Sequence, residues 1–323
     1  MRFSDKHRDA RVTGSAVDSA PRGCASERRG NRQSRKRQHR QFPGSPRWLP
    51  LLLSVLLLLG GVTACRTDGE GAAPTSGSVS PVYSLTREDS RTQPENAAEI
   101  ALGTVESELL ITEQGDYLLT GSLTGCIHIL AEEQVVHLFL KGVDIRGAKG
   151  PAIYIESAGK VVVTVCADTE NRLRDSGAHT GRDTDACLYS HSDLTLNGTG
   201  TLTVSGLFKD AVHTRDYLSV TGVNLTVQAR RDGLRGNDGM LIRDARLHVE
   251  SEENGLHTTR SDKAEKGNVE IIGTDLTVIA GAYAVSADRN ILIADSRAFL
   301  KGIPEPMHAD GEIAAEEGCL RDE

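Results

Sequence analysis

The sequence predicts an all-β chain folded as a single right-handed parallel β-helix, with about 22 residues per coil and three short strands in each. Three observations lead there. From about Glu99 onward, short runs of Val, Ile, Leu and Thr are separated by Gly, Asn and Asp, which is the pattern of short strands and turns. A triplet recurs at 22-residue intervals: Asp210-Ala211-Val212, Asp232-Gly233-Leu234, Asn254-Gly255-Leu256. Aromatic residues make up only 4% of the chain while 33 residues are Gly, a composition suited to tight turns rather than to a core packed around large rings.

Taken in order, the 323-residue chain begins with a basic leader. Residues 1–64 hold 13 basic against 4 acidic groups, and residues 65–323 hold 24 against 41. The acidic body repels nucleic acid, so DNA and RNA binding are discounted. The apolar run from Leu49 to Val62 follows the cluster Arg28–Arg47. It is shorter than the roughly 20 residues a spanning helix needs and has the size of a signal-peptide core. Val62-Thr63-Ala64-Cys65 comes directly after it and looks like a lipobox, in which Cys65 becomes the acylated first residue. Residues 1–64 are thus expected to be leader and signal peptide. The expected destination is the extracellular face of the cell membrane, held there by the lipid on Cys65. Residues 65–98, rich in Gly, Ser, Thr, Pro and acids, read as a flexible tether.

Residues 99–323 read as the β-helix. After Asn254 the next copy of the triplet, Tyr283-Ala284-Val285, arrives 29 residues on, and the excess is mostly a charged insertion, Arg260–Gly267. Glu305-Pro306-Met307 follows at 22. Each copy carries a second strand (Leu218-Ser219-Val220, Met240-Leu241-Ile242, Val269-Glu270-Ile271, Ile291-Leu292-Ile293) and a third (Leu225-Thr226-Val227, Leu247-His248-Val249, Leu276-Thr277-Val278, Ala298-Phe299-Leu300). One such coil cannot bury its own apolar side chains; stacking coils at about 4.8 Å builds a continuous core. Alternation sends Val212, Leu234, Leu256, Val285 and Met307 inward. A β-sandwich also uses short strands, but it has no reason to repeat at this period.

Several stretches resemble one known family. Gly150-Pro151-Ala152-Ile153-Tyr154-Ile155, Thr169-Glu170-Asn171, the run Asp193–Val204, Lys209-Asp210-Ala211-Val212 and Asp232-Gly233-Leu234 are similar to the bacterial carbohydrate-binding domain-containing, calcium-binding β-helix lipoproteins. The resemblance covers about residues 99–313. It implies a right-handed β-helix like that of pectate lyases, bound Ca²⁺, and affinity for polysaccharide, acidic plant cell-wall glycan included, without established catalysis. Two departures stand out: Tyr283 occupies a position where other coils have Asp or Asn, and the chain stops soon after its last coil, so a missing cap or a truncated frame is expected.

Asp210, Asp232 and Asn254 should form a ladder along a turn edge, with Asp216 and Asp238 six residues on and Asn237, Asp288 and Asp310 one residue before that position. Stacked carboxylates repel, and a Ca²⁺ ion taking 6–8 oxygens would relieve the repulsion. The plainer alternative is that Asp and Asn favour turns and hydrogen-bond their own backbone. His213, Arg235, His257, Ser286 and His308 follow the inward residues and should line one outer face, with Arg215, Arg230 and Arg231 nearby. Such a strip suits uronate carboxylates, or is simply a solvated face. A zinc site is improbable, since His213 and His257 stand two coils, roughly 10 Å, apart. The only Trp is Trp48, and the tyrosines after it offer no obvious flat triad, which favours recognition by charge over ring stacking. Cys126, Cys166 and Cys187 read as small apolar fillers.

A polysaccharide-binding surface lipoprotein with Ca²⁺ as structural or bridging ion is the leading reading. The alternatives are a calcium-dependent pectate-type lyase with an arginine such as Arg235 as base, and a non-catalytic adhesin or stalk.

Overall fold

The computed structural model describes residues 81–321. The leader, the apolar run and Cys65 lie outside the described residues. Every ladder between the strands is parallel, and the coils stack into a parallel β-helix.

The three strands of each coil make three faces. The first face is built from Ala186–Ser190, Asp210–Thr214, Leu234–Gly236, Leu256–His257, Val285–Ala287 and Met307–Ala309. The second holds Leu194–Gly198, Tyr217–Thr221, Gly239–Arg243, Asn268–Ile272, Ile291–Ala294 and Ile313–Ala315, and the third Thr201–Gly206, Asn224–Ala229, Arg246–Ser251, Asp275–Ala280 and Arg297–Lys301. Upstream, Cys126–Arg146 runs unbroken around all three faces, and Ile153–Val165 around two. The inward column is the expected one: Leu188, Val212, Leu234, Leu256, Val285 and Met307 pair in register and pack into one continuous apolar core.

The corners follow from the residues that occupy them. Between second and third faces the chain turns through the left-handed region at Gly222, Asp244, Gly273 and Asp295, with φ of 72°, 52°, 63° and 49°. Gly and Asp are among the residues that reach this region at least strain. At the corner leading into the first face, a Cβ on Gly233 would stand 2.6 Å from the Gly255 carbonyl oxygen, so the middle Gly of the triplet lets adjacent coils approach.

Two loops break the period. Leu188 follows its partner Ile153 by 35 residues, because the loop 175–185 enters before the first face. The charged insertion falls where the sequence puts it, between His257 and Asn268.

The expected tether ends earlier than residue 98. Residues 82–97 lie across the second face as a strap. Glu270 accepts the N–H groups of Val82 and Tyr83 (2.5 and 3.3 Å). Asp89 meets Lys160 and Thr195 (2.9 and 2.5 Å), the Asn197 amide donates to the Asp89 and Arg91 carbonyls, and Arg91 forks onto Asp116 (2.6 and 2.7 Å). A Thr86–Asp89 capping box starts the one-turn helix Arg87–Ser90. Beneath the strap the outward side chains His137, Phe139, Val162, Thr195 and Asn197 are at most 1% exposed. Burial lowers the His137 imidazole to about 4, helped by the nearby Arg91 charge.

Candidate carbohydrate-binding face

On the first face one outward column runs the length of the helix. His128 pairs with Tyr154, Tyr154 with Tyr189, Tyr189 with His213, His213 with Arg235, Arg235 with His257, His257 with Ser286, and Ser286 with His308. The expected strip therefore exists and extends three coils further upstream. There its aromatic members associate: His128 and Tyr154 stack at 5.0 Å, Tyr154 and Tyr189 lie 6.2 Å apart, and Tyr189 meets His213 edge-on at 5.1 Å. Parallel pairing puts equivalent side chains about 4.8 Å apart, so rings on successive coils touch. Arg182, from the loop 175–185, covers Tyr154 at 5.2 Å. At the other end the half-buried Tyr283 stacks on His308 at 4.9 Å. The coil that departs from the Asp/Asn pattern thus supplies a ring to this face.

Of the four residues expected to touch sugar, His213, Arg235 and His257 share the column. His213 is only 5% exposed and its ring is occupied, with Nδ1 2.7 Å from Asp185 and Nε2 3.2 Å from Asn237. It shapes the face rather than offering itself to a ligand. Arg235 and His257 are half-exposed. The Arg235 Nε donates to Asn237 Oδ1 (3.0 Å). Arg215 is exposed but belongs to the corner after the strand, in the Asn237 position one coil earlier.

The expected acidic edge divides in two, because the first-face strand separates position 210 from position 216. Asp210, Asp232 and Asn254 do stack at the entry corner, and each serves the next coil's backbone. Asp210 Oδ1 accepts the Asp232 N–H (3.0 Å), Asp232 Oδ1 accepts the Asn254 N–H (3.1 Å), and Asn254 Oδ1 accepts the Tyr283 N–H (3.4 Å). Asp185 extends the cluster; Asp185, Asp210 and His213 place ligand atoms within 4.8 Å of one another. Basic side chains already fill this corner. Arg231 binds Asp210 and Asp185 at 2.5–2.6 Å, and His257 Nδ1 stands 2.7 Å from Asp232. Burial pushes the Asp185 carboxyl up, but His213 and Arg231 outweigh it and hold it below the usual carboxylate range. Burial dominates at Asp210 and raises it despite Arg231. The entry-corner carboxylates thus have their charge and oxygens committed, which fits a bound cation poorly.

The exit corner is different. Asp238 is bound by Arg260 and Lys266 (2.9 and 2.6 Å), both from the charged insertion. Asp193 accepts the Tyr217 N–H (3.2 Å). The half-buried Asp216 carboxylate has no hydrogen-bond or ion-pair partner among the described residues; burial raises it, and Asp193 and Asp238 push it further. Burial, with Asp193's neighbours Asp89 and Asp238, likewise raises Asp193. Asp238 is matched by its two cations and Asp193 accepts a backbone N–H, which leaves Asp216 as the uncommitted oxygen donor at this corner among the described residues. Asp288 stands further along the same corner, raised by burial and by Asp310, so it does not join Asp216.

Sequence reasoning missed Tyr154, Tyr189, Asp185 and Asp193. The two tyrosines follow inward residues at the same offset as His213, and that offset was the available signal. The loop holding Asp185 hides it from any count of coil positions.

Residues 105–315 match the family described as "Carbohydrate-binding domain-containing protein". A protein of that description from Acetivibrio thermocellus is 31% identical over 283 residues, covering 84% of this chain and 96% of that one. A solved structure described as the polysaccharide lyase-like protein from C. thermocellum, in a gadolinium derivative, superposes with a TM-score of 0.64 at 28% identity, over 66% of this chain and 89% of the other. With its parallel β-helix and its long outward column, this chain is a member of the carbohydrate-binding domain-containing family.

Proposed function

We propose that the protein retains polysaccharide, acidic chains included, along the outward column of its first face, with Ca²⁺ at the exit corner around Asp216 as structural or bridging ion. The observation that carries this is the unbroken column from His128 to His308. Its seven coil steps of about 4.8 Å extend roughly 34 Å, enough for an extended oligosaccharide. The downstream half, Arg235, His257, Ser286 and His308, is half-exposed. It combines the Arg235 guanidinium, a donor for carboxylates, with the Tyr283–His308 stack as a ring platform. Asp216, the uncommitted carboxylate, would be the ion's first ligand, and the ion would supply positive charge beside the strip. Lipidation at Cys65 would set the domain on the outer face of a membrane.

The rival reading is a calcium-dependent lyase, favoured by the lyase-like relative. An arginine such as Arg235 would serve as its base, yet the Arg235 guanidinium donates to Asn237 and lies 3.9 Å from Asp232, the arrangement of a binding cation rather than a proton acceptor. Co-sedimentation with polygalacturonate, with and without EGTA, tests the proposal. Calcium-dependent retention without new ultraviolet absorbance is expected. Release of unsaturated uronides would replace binding with lyase activity, and failure to retain any glycan would leave the stalk reading.

A further inference from the structure

A cavity of about 380 Å³ opens at the upstream end of the first face, between the segment 147–151 and the tip of the loop 175–185. Glu108, Cys126, Lys149, Pro151, Thr180 and Arg182 are among its lining residues. Its size falls at the lower end of small-ligand sites, roughly 300–1,000 Å³. The two walls are tied together: the Thr180 N–H donates to the Lys149 carbonyl (2.8 Å) and the Ser176 N–H to the Gly150 carbonyl (3.1 Å). The shape is therefore formed before any ligand arrives.

Charge says what would enter. Arg182 pairs with Glu108, and Glu108 also holds His128 Nδ1 at 3.0 Å, so these charges are matched within the wall. Lys149 is exposed and has no ion-pair partner among the described residues. In a chain whose residues 65–323 are strongly acidic, an unmatched ammonium at a preformed cavity is a place for one negative charge. Cys126 is not a competing nucleophile there, because burial pushes its thiol up to about 12, so it serves as an apolar wall beside Pro151. Arg182 lies over Tyr154, a member of the outward column, so a glycan lying on that column passes the mouth of the cavity.

We infer that this cavity is a subsite for the carboxylate-bearing ring of a uronic acid unit, with Lys149 as the principal anion contact. The inference rests on the polysaccharide reading above and adds to it a defined second contact.

The test is amide chemical-shift mapping of the full chain with methyl α-galacturonate, and with its neutral methyl ester as control. The acid is expected to shift the amides of Ala148–Gly150 and Thr180–Arg182, and the ester to bind at least about tenfold more weakly. Lys149→Gln, a change at an exposed side chain, is expected to abolish the preference for the acid while leaving remote amides unmoved. Shifts confined to the column around Arg235 and His257 would overturn the subsite and leave the binding face standing. Shifts confined to the cavity would support the subsite and remove the column reading. Shifts at neither place, or an acid preference that survives in Lys149→Gln, would overturn the subsite.

Discussion

The Oδ2 atom of Asp232 lies 2.7 Å from Nδ1 of His257, while Oδ1 of the same carboxylate accepts the Asn254 backbone N–H at 3.1 Å. One buried side chain thus fastens two points of the next coil, and the entry-corner ladder becomes a set of coil-to-coil clasps.

Asp232→Ala should therefore destabilise the fold by about 1–3 kcal/mol, because a buried N–H loses its acceptor; Asp232→Asn, which keeps an oxygen, should lose less. Burial pushes this carboxyl up, but His257 and Asn254 outweigh it and hold it below its ordinary 3.8. A depressed folded value means stability that is present above the unfolded pKa and lost as the pH falls through the folded one. In urea titrations the wild-type advantage over Asp232→Asn should shrink on acidification below about pH 4. An advantage that is unchanged down to pH 2 would refute the clasp.

Glu270 has the opposite sign. It is 1% exposed under the strap, and burial raises it above 4.5 although the Val82 and Tyr83 N–H groups pull it down. The native state binds the proton more tightly than the unfolded chain, so stability falls as the pH rises from about 4.5 through the raised folded value. Glu270→Gln should lack that slope and should lose little stability at neutral pH, since an amide oxygen can still accept from the strap. Parallel stability curves for the two proteins between pH 4 and 7 would show that the carboxylate does not govern the contact.

Asp175 anchors the loop that carries Arg182 and Asp185 to the first face. Its carboxylate accepts the Leu207 and Phe208 N–H groups (2.6 and 3.3 Å) and faces His179 Nε2 at 3.0 Å, with both side chains at most 1% exposed. Asp175→Ala should cost at least about 1–3 kcal/mol, the scale for leaving buried donors without their acceptor. Hydrogen exchange should quicken first in 176–185. Uniform loosening of the whole helix would instead point to a core defect.

What the sequence made legible, and what it did not, follows from the period. Val212, Leu234 and Leu256 recur at one interval, so the column and its outward neighbours could be placed without coordinates. Asp185 could not, because the loop holding it obeys no period. The acidic residues were readable as a group but not as two corners, since stacking along the axis and position around the coil both appear as repeats in one dimension. The covered second face had a sign of its own: Val161-Val162-Val163 is a run, not an alternation, and all three side chains are buried. A strand that is apolar on both faces needs something on its outside, and here that is the strap, whose opening Thr86-Arg87-Glu88-Asp89 carries the spacing of a capping box.

The exit corner offers the sharpest test of a cation. Asp216 has no hydrogen-bond or ion-pair partner among the described residues and is pressed by Asp193 and Asp238, whereas the entry-corner carboxylates are matched by Arg231 and His257. Ca²⁺ that binds the native state alone stabilises it by mass action, by about 2.7 kcal/mol at a hundredfold excess over Kd. Calcium should therefore raise the melting temperature of the wild type, and EGTA should reverse the rise. Asp216→Asn relieves the repulsion without metal. It should melt at or above the metal-free wild type and respond little to calcium, while Asp210→Asn, whose charge answers Arg231 and not a metal, should melt lower yet keep the calcium response. If Asp210→Asn abolished the response and Asp216→Asn preserved it, the cation would belong to the entry corner, with Arg231 displaced to admit it.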